Sequence, residues 1–399
     1  MKTWHLLIVS LIVLACAEST CLKSTEISEK ESNPQLIIDS LLENKIPDDE
    51  IRSIRNYFKK FVEKRRFNGH IIIAKKGQII FDTTSGYSNI KRRIKLEENS
   101  VLQLASITKP ITATVILQLI EEGKLKIIDT ITKYLPNLPK HYSHITVKDL
   151  LSHRSGLTQY YYYCDDMIDD KKHLIYNDTV LCVMDFHNPG NYFPPDRKHN
   201  YCNTNYLLLA SIIETIEKQK YADVLNTRII KKCGMENSFV FDLKDNLIPE
   251  NLVLGHTKTN KLFNFDYLDG IVGDKGFFTN AKDLLKFDQM LTNGNLVNDS
   301  LMNEAFKPYN EIKKDKSYGL GWRLKFHKKL GKIIYHTGWW HGNRNIYIRV
   351  PKNEYTIIIL SNALRGSIYN LEDILKEIEF PSINENIKRT NNIDLNNAI

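Results

Sequence analysis

Glycine and proline are sparse in this 399-residue chain, 18 and 12 residues respectively, which excludes a collagen-like or low-complexity protein. Cysteine is sparser still. Six are scattered along the chain (Cys16, Cys21, Cys164, Cys182, Cys202, Cys233) with no Cys-x-x-Cys spacing, so they define neither a disulfide framework nor a zinc site. A single pair, such as Cys164 with Cys182, stays open. Long apolar runs are missing outside the N-terminus, which excludes a polytopic membrane protein. Dense charge of one sign is missing too: the net charge is +8, and Lys59-Lys60, Lys64-Arg65-Arg66 and Lys91-Arg92-Arg93 read as solvated surface. Without zinc-finger spacing, an RNA-binding aromatic motif or a long basic helix, no nucleic-acid partner is expected. No His-Glu-x-x-His or His-x-His run occurs, and no metal or organic cofactor is implied. The absence of a Gly-x-Ser-x-Gly elbow disfavours an α/β-hydrolase.

What remains is an ordinary globular composition, 42% hydrophobic and 26% charged, long enough for two or three lobes. Residues 1–15 read as a secretory signal, with Lys2 as the basic start and Leu6 to Ala15 as an apolar stretch too short to span a bilayer. Val13-Leu14-Ala15-Cys16 resembles a bacterial lipobox, in which Cys16 is lipidated and anchors the chain to a membrane. Plain cleavage near Ala15 or Ala17 is the alternative. Residues 16–34, rich in Ser, Thr, Glu and Lys, read as a tether. The expected location is therefore the periplasm or cell envelope.

The body, residues 35–380, has a mixed order. A helical pattern over 37–67 is broken by Pro47. His70 to Ala74 and Gln78 to Phe81 read as strands joined by a hairpin turn at Lys75-Lys76-Gly77. Helices are expected from Thr108 to Gly123, from Thr146 (cap, with Asp149) to Leu151, from Tyr206 to Glu217, and over 280–291 with Asn280 and Asp283 as a capping pair. Three strands (332–335, 345–350, 355–360) and a helix over 369–378 follow. The pattern predicts an α+β fold: an antiparallel sheet built from both ends of the chain, flanked by helices, with a helical lobe inserted at about 146–310. The Asn-rich stretch 381–399 reads as a disordered tail.

Chemistry concentrates at Ser106-Ile107-Thr108-Lys109. Pro110 is tolerated only in a first helical turn, so Ser106 sits at a helix mouth with Lys109 one turn on. A desolvated lysine there could act as base, and the helix N-terminus favours developing negative charge. The same spacing at Ser88 and Lys91 lies in a polar segment and reads as chance. Two later segments add weight: Tyr201-Cys202-Asn203 just before a helix, and His336-Thr337-Gly338 at the end of an apolar strand.

In this order the three motifs resemble the serine β-lactamase and penicillin-binding protein superfamily, in the branch of class C β-lactamases, DD-peptidases and family VIII esterases. Further segments match: 104–110, 119–125, 145–157, 273–284 and 318–322. The resemblance implies a β-lactamase/transpeptidase-like fold and acyl transfer to a small-molecule or peptide acyl substrate. Ser106 would be the nucleophile, and Lys109 and Tyr201 would share the acid–base work. Asn203 would bond Lys109 and the substrate amide, while the backbone N–H groups of Ser106 and Trp339 would form the oxyanion hole. His336, followed by Thr337 and Gly338, would stand at the rim and pair with a substrate carboxylate or with Tyr201.

Three departures stand out. Histidine replaces the lysine that many β-lactamases carry at 336, which lowers the expectation of strong β-lactamase action. Cys202 replaces a small residue and could narrow the site. Asp196, in Phe193-Pro194-Pro195-Asp196, stands where a glycine is usual. Two readings without turnover stay open: a sensor-type ligand-binding domain, and a membrane-anchored scaffold using the aromatic surface of Tyr160–Tyr163 and Trp339–Trp340.

Overall fold

The computed structural model describes residues 46–241, 249–364 and 371–379. The signal segment, Cys16, Cys21, the tether and the tail 381–399 lie outside the described residues. Among those described, no helix is long and apolar enough to cross a membrane.

Seven antiparallel strands form the main sheet. They are β1 (Gly69–Lys75), β2 (Gln78–Ser85), β3 (Lys316–Tyr318), β4 (Arg323–His327), β5 (Gly331–Trp340), β6 (Asn343–Val350) and β7 (Tyr355–Ser361), in the order β2-β1-β7-β6-β5-β4-β3. β1 therefore pairs with β7, joining the two ends of the chain in one sheet, with Ile71 opposite Ile359 and Ile72 opposite Ile358. The β1–β2 turn is a two-residue one. Lys76 and Gly77 both adopt positive φ (49° and 73°), the mirror-image turn whose twist matches that of the strands.

The unbroken apolar runs of β1 and β7 follow from burial on both faces. Ile71, Ile73, Ile357 and Ile359 face helices α1 (Asp48–Arg65) and α5 (Leu371–Glu379), against Ile54, Phe58, Ile374 and Leu375. Ile72, Ile358 and Leu360 face the opposite way, into a larger core shared with α2 (Thr108–Glu121), α3 (Thr204–Glu217) and α4 (Ala281–Thr292). Helix α2 is buried nearly all round, which is why it carries apolar residues on every face rather than one stripe.

The inserted segment is not purely helical. It contributes short strands at 239–240, 252–253 and 277–279 that pair around Val101–Gln103. Thr146 and Asp149 form the expected capping box. Asn280 caps α4 by accepting from the Asp283 amide, but Asp283 does not reciprocate. Its carboxylate instead accepts from the Asn237 amide (2.7 Å) and the Ser238 hydroxyl (3.0 Å).

Asp288 of α4 ties that helix to the sheet. Its carboxylate accepts from Tyr347 Oη, from Thr356 Oγ1 (2.6 Å) and from Arg349 Nε (2.7 Å), of which Tyr347 and Arg349 are buried and Thr356 is half-buried. Removing one partner of a buried pair leaves an uncompensated charge, so Asp288→Ala is expected to cost about 3–5 kcal/mol. Denaturant unfolding checks this. A loss of under about 1 kcal/mol, the scale of a surface pair, would mean that Arg349 escapes to water in the variant.

Candidate active site

Ser106 lies in a single 3-10 turn (Ala105–Ile107) that runs straight into α2. The residue before it, Ala105, sits at φ +52°, an uncommon conformation for a residue with a side chain. The surroundings hold it there. Leu104 N–H donates to Phe277 O (2.9 Å), and β5 presses from the other side at Gly338. A Cβ on Gly338 would lie 2.1 Å from Leu104 O and 3.3 Å from Ala105 Cβ, so only glycine permits this approach.

Lys109, one turn on, is fully buried. Its Nζ reaches Ser106 Oγ at 3.1 Å, Asn203 Oδ1 at 2.8 Å and the Asp274 carbonyl at 2.9 Å, and lies 5.1 Å from the centre of the Tyr201 ring. Two of its hydrogen bonds thus go to fixed acceptors, and the third direction faces the serine. Tyr201 Oη is buried with no hydrogen-bond partner among the described residues. Ser106, Lys109, Tyr201 and Asn203, spread over 98 positions, meet around one amine.

Several residues that hold this group were not legible as site residues. The Gln159 carboxamide clasps the Tyr201–Asn203 segment, donating to Tyr201 O (2.9 Å) and accepting from Asn203 N–H (2.8 Å). His153 lies with its ring centre 4.3 Å from that of Tyr201, and its Nδ1 accepts from the Cys202 amide. Burial holds its pKa well below the usual histidine value, so the ring is neutral. The Arg323 guanidinium lies 5.0 Å from the Tyr201 ring centre, and its buried Nε has no hydrogen-bond partner among the described residues. His153 falls inside the 145–157 landmark, which signalled the segment but not the contact. Nothing in the sequence singles out Gln159 or Arg323.

His336 departs from its expected place. It is fully buried rather than at the rim. Its Nδ1 donates to Thr337 O (2.8 Å) and its Nε2 accepts from Tyr318 Oη (3.1 Å), so neither nitrogen is free for a substrate carboxylate or for Tyr201. Burial, with Arg323 and Lys109 nearby, keeps it neutral. The physical reason is that Tyr318, from the next strands of the same sheet, closes over the position. Thr337 stays partly exposed, and Trp339 is 58% exposed.

The family signature described as Beta-lactamase matches residues 54–375. The chain belongs to the Beta-lactamase family. Penicillin-binding protein 4* of Bacillus subtilis (strain 168) is 33% identical over 344 residues, which cover 82% of this chain and 75% of that protein. A crystal structure of a penicillin binding protein from Bacillus halodurans superposes with a TM-score of 0.71 at 23% identity, over 80% of this chain and 98% of that one. A class C beta-lactamase gives 0.68 at 17% identity, over 86% and 98%. The α+β fold is thus that of the class C β-lactamase and penicillin-binding group, as the three motifs imply.

The other departures of this Beta-lactamase family member now have a structural account. Cys202 is buried with its sulfur 3.6 Å from Thr158 O, turned into the lobe, and burial pushes its thiol up to about 11. Asp196 adopts φ +58° without being glycine, and Arg154 pins it through Nε to Oδ1 at 2.6 Å. Cys164, Cys182, Cys202 and Cys233 are all free thiols, so the Cys164–Cys182 pair does not form. Of the four tyrosines at 160–163, Tyr160 and Tyr163 are buried and Tyr162 is exposed.

Behind Trp340, His341 lies between two carboxylates, Nε2 to Asp266 at 3.1 Å and Nδ1 to Asp269 at 3.2 Å. Burial alone would lower its pKa, but the two carboxylates outweigh it and raise the value from 6.5 to about 9. A histidine raised in the folded state stabilises fully below its unfolded pKa and loses that contribution as pH climbs through the folded one. At about 1.4 kcal/mol per pKa unit, and reduced for the solvent screening of a partly exposed ring, the contribution is on the order of 2 kcal/mol. Thermal unfolding of wild type beside His341→Gln should therefore show a gap that is largest below pH 6.5 and closes above about 9. A gap that stays constant over that range would overturn the assignment.

Proposed function

We propose that this chain is a serine hydrolase that forms an acyl-enzyme on Ser106 and releases it to water. The observation that carries this is the coordination of Lys109, whose Nζ is fixed by Asn203 and Asp274 and left facing Ser106 Oγ at 3.1 Å. In the first step Ser106 Oγ bonds to the substrate carbonyl carbon while its proton passes to Lys109 Nζ or Tyr201 Oη. The carbonyl oxygen takes up the electron pair and is stabilised by the backbone N–H groups of Ser106 and Trp339. The oxygen's electron pair then re-forms the carbonyl, the C–N or C–O bond breaks, and the leaving group takes the proton that came from Ser106, delivered through the unpartnered Tyr201 hydroxyl. Water repeats the attack on the acyl carbon and restores Ser106.

The substrate is an amide or an ester: a D-amino-acid peptide, a cell-wall stem or a small ester. Because His336 is neutral and engaged, the charge that meets a substrate carboxylate comes from Arg323 instead. Strong β-lactamase action is not expected, and weak action is compatible with the site.

The test treats the mature protein with a fluorescent β-lactam, a fluorophosphonate and p-nitrophenyl esters, with intact-mass analysis and peptide mapping. An adduct on Ser106 supports the reading, and the probe that turns over chooses among esterase, peptidase and β-lactamase. Folded protein that takes no adduct from any probe would instead be a ligand-binding domain without turnover. We further propose export and membrane attachment through lipidated Cys16, which palmitate labelling lost in Cys16→Ala would support and unchanged labelling would refute.

A further inference from the structure

Trp339, whose N–H is the second oxyanion donor, lies on a stretch of β5 that the sheet itself holds on one side only. β4 pairs with β5 as far as Tyr335, opposite Arg323. From His336 to Trp340 the strand pairs with β6, Trp339 opposite Arg344, and among the described residues no strand borders its other edge. The chain turns back through His341 and Gly342, at φ +39° and +83°, so this end of the sheet is a projecting hairpin. A two-stranded hairpin alone is at best marginally stable in water, so contacts from outside the sheet must fix its end.

Two such contacts fall on the same face. Successive residues of a strand point to opposite faces, so positions 338 and 340 share one face and the Trp339 side chain points to the other. Gly338 rests on the nucleophile turn at Leu104 and Ala105. Trp340 donates from Nε1 to Asp269 Oδ1 at 2.6 Å. Trp339 is thus suspended between one anchor on the nucleophile turn and another on Asp269.

Asp269 has the surroundings of a fixed point. It is 1% exposed, and its own turn sets its carboxylate: Oδ2 accepts from the Asp266 amide at 2.7 Å, and the Asp269 amide donates to Asp266 O at 3.0 Å. His341 Nδ1, 3.2 Å from Oδ2, supplies the cation that a buried carboxylate needs. Phe263 stacks on the His341 ring at 5.4 Å between centres. The backbones close up behind the turn. A Cβ on Gly342 would lie 2.5 Å from the His256 amide nitrogen, and one on Gly255 would lie 2.0 Å from His341 O.

We propose that Asp269, acting through the Trp340 indole, is a positioning residue that holds the end of β5 where the Trp339 N–H can serve the oxyanion. An oxyanion donor acts at about 2.7–3.1 Å from the developing charge, and removing one costs about 10²–10³-fold in rate. A donor that is loosened but not removed loses part of that factor. Asp269 is enclosed, so it bears on the substrate only through the groups it holds.

The consequence for catalysis rests on the acyl-enzyme reading; the anchoring does not, and the test reads the two separately. The variants are Asp269→Ala and Trp340→Phe. The second keeps an aromatic ring and every charge, removes only the N–H donor, and keeps the test open if Asp269→Ala does not fold. In both, amide hydrogen exchange read by mass spectrometry should be faster across 336–342 and unchanged across β1 and β7. With p-nitrophenyl esters kcat should fall about tenfold or more while KM holds, because the oxyanion hole serves acylation and deacylation alike. An aryl boronic acid, whose tetrahedral adduct on Ser106 mimics the intermediate, should lose affinity by a similar factor. The double variant should be no slower than the slower single one, since both cut the same link. Unmoved exchange in the folded variants, a loss confined to KM, or losses that multiply in the double variant would overturn the proposal. So would faster exchange with kcat and boronate affinity unchanged. Faster exchange in a protein whose wild type takes no Ser106 adduct would overturn the hydrolase reading alone.

Discussion

Ser106→Ala is expected to abolish the covalent adduct, with acylation falling on the order of 10⁴-fold or more, while the fold is left almost as stable as before. Among the described residues the Ser106 hydroxyl has one hydrogen bond, to Lys109, and the residue is only partly buried. Losing such a bond costs about 0.5–1.5 kcal/mol. For a domain of more than about 250 residues that is a shift of roughly 1–2 °C in the melting temperature. Intact mass after fluorophosphonate treatment and a thermal melt of the same sample read both effects. A large loss of stability with the adduct retained would make Ser106 a structural cap and move the nucleophile elsewhere.

Lys109→Ala should look different, because the proposed base is also a buried hydrogen-bond donor. Removing a general base typically costs about 10²–10⁴-fold in rate. Here the variant also leaves Asn203 Oδ1 and the Asp274 carbonyl without their donor, inside a fully buried site. Each orphaned group costs about 1–3 kcal/mol. The expected outcome is therefore a slow enzyme that is also measurably less stable, seen by combining acylation kinetics with denaturant unfolding. Full activity would remove Lys109 from the chemistry. Slow acylation with unchanged stability would show that water enters and satisfies the two acceptors.

Taken together, the two variants separate a residue that acts at the substrate from one that also supports the cleft. Tyr201 lies between these cases. Its hydroxyl has no partner to lose among the described residues, so its replacement bears on rate more than on stability.

What the sequence determined by itself is local or repetitive in kind. Ser106 and Lys109 were legible as a unit because one helical turn brings residues three apart onto one side, and Pro110 marks where that turn begins. The hairpin at Lys76-Gly77, the Thr146–Asp149 capping box and the apolar strands of both chain ends were legible for the same reason. Each depends on neighbours within a few positions. The motif order then carried the family, and with it the meeting of Tyr201 and Asn203 with Lys109.

Tertiary structure alone decided the rest. His336 is buried because Tyr318 closes over it, a contact set by strand packing and not by the motif in which it sits. Asp283 gives its carboxylate to Asn237 and Ser238, donors that another segment brings to it, and not to the backbone N–H of its own cap. The acceptor that fixes Lys109 from behind is a main-chain carbonyl, at Asp274, and every residue type has one. Gln159 and Arg323 reach Tyr201 through contacts between segments far apart in the chain. Their function depends on which groups burial brings within about 3–5 Å, where a charge or a hydrogen bond is strong, and that distance is set only when the lobes pack.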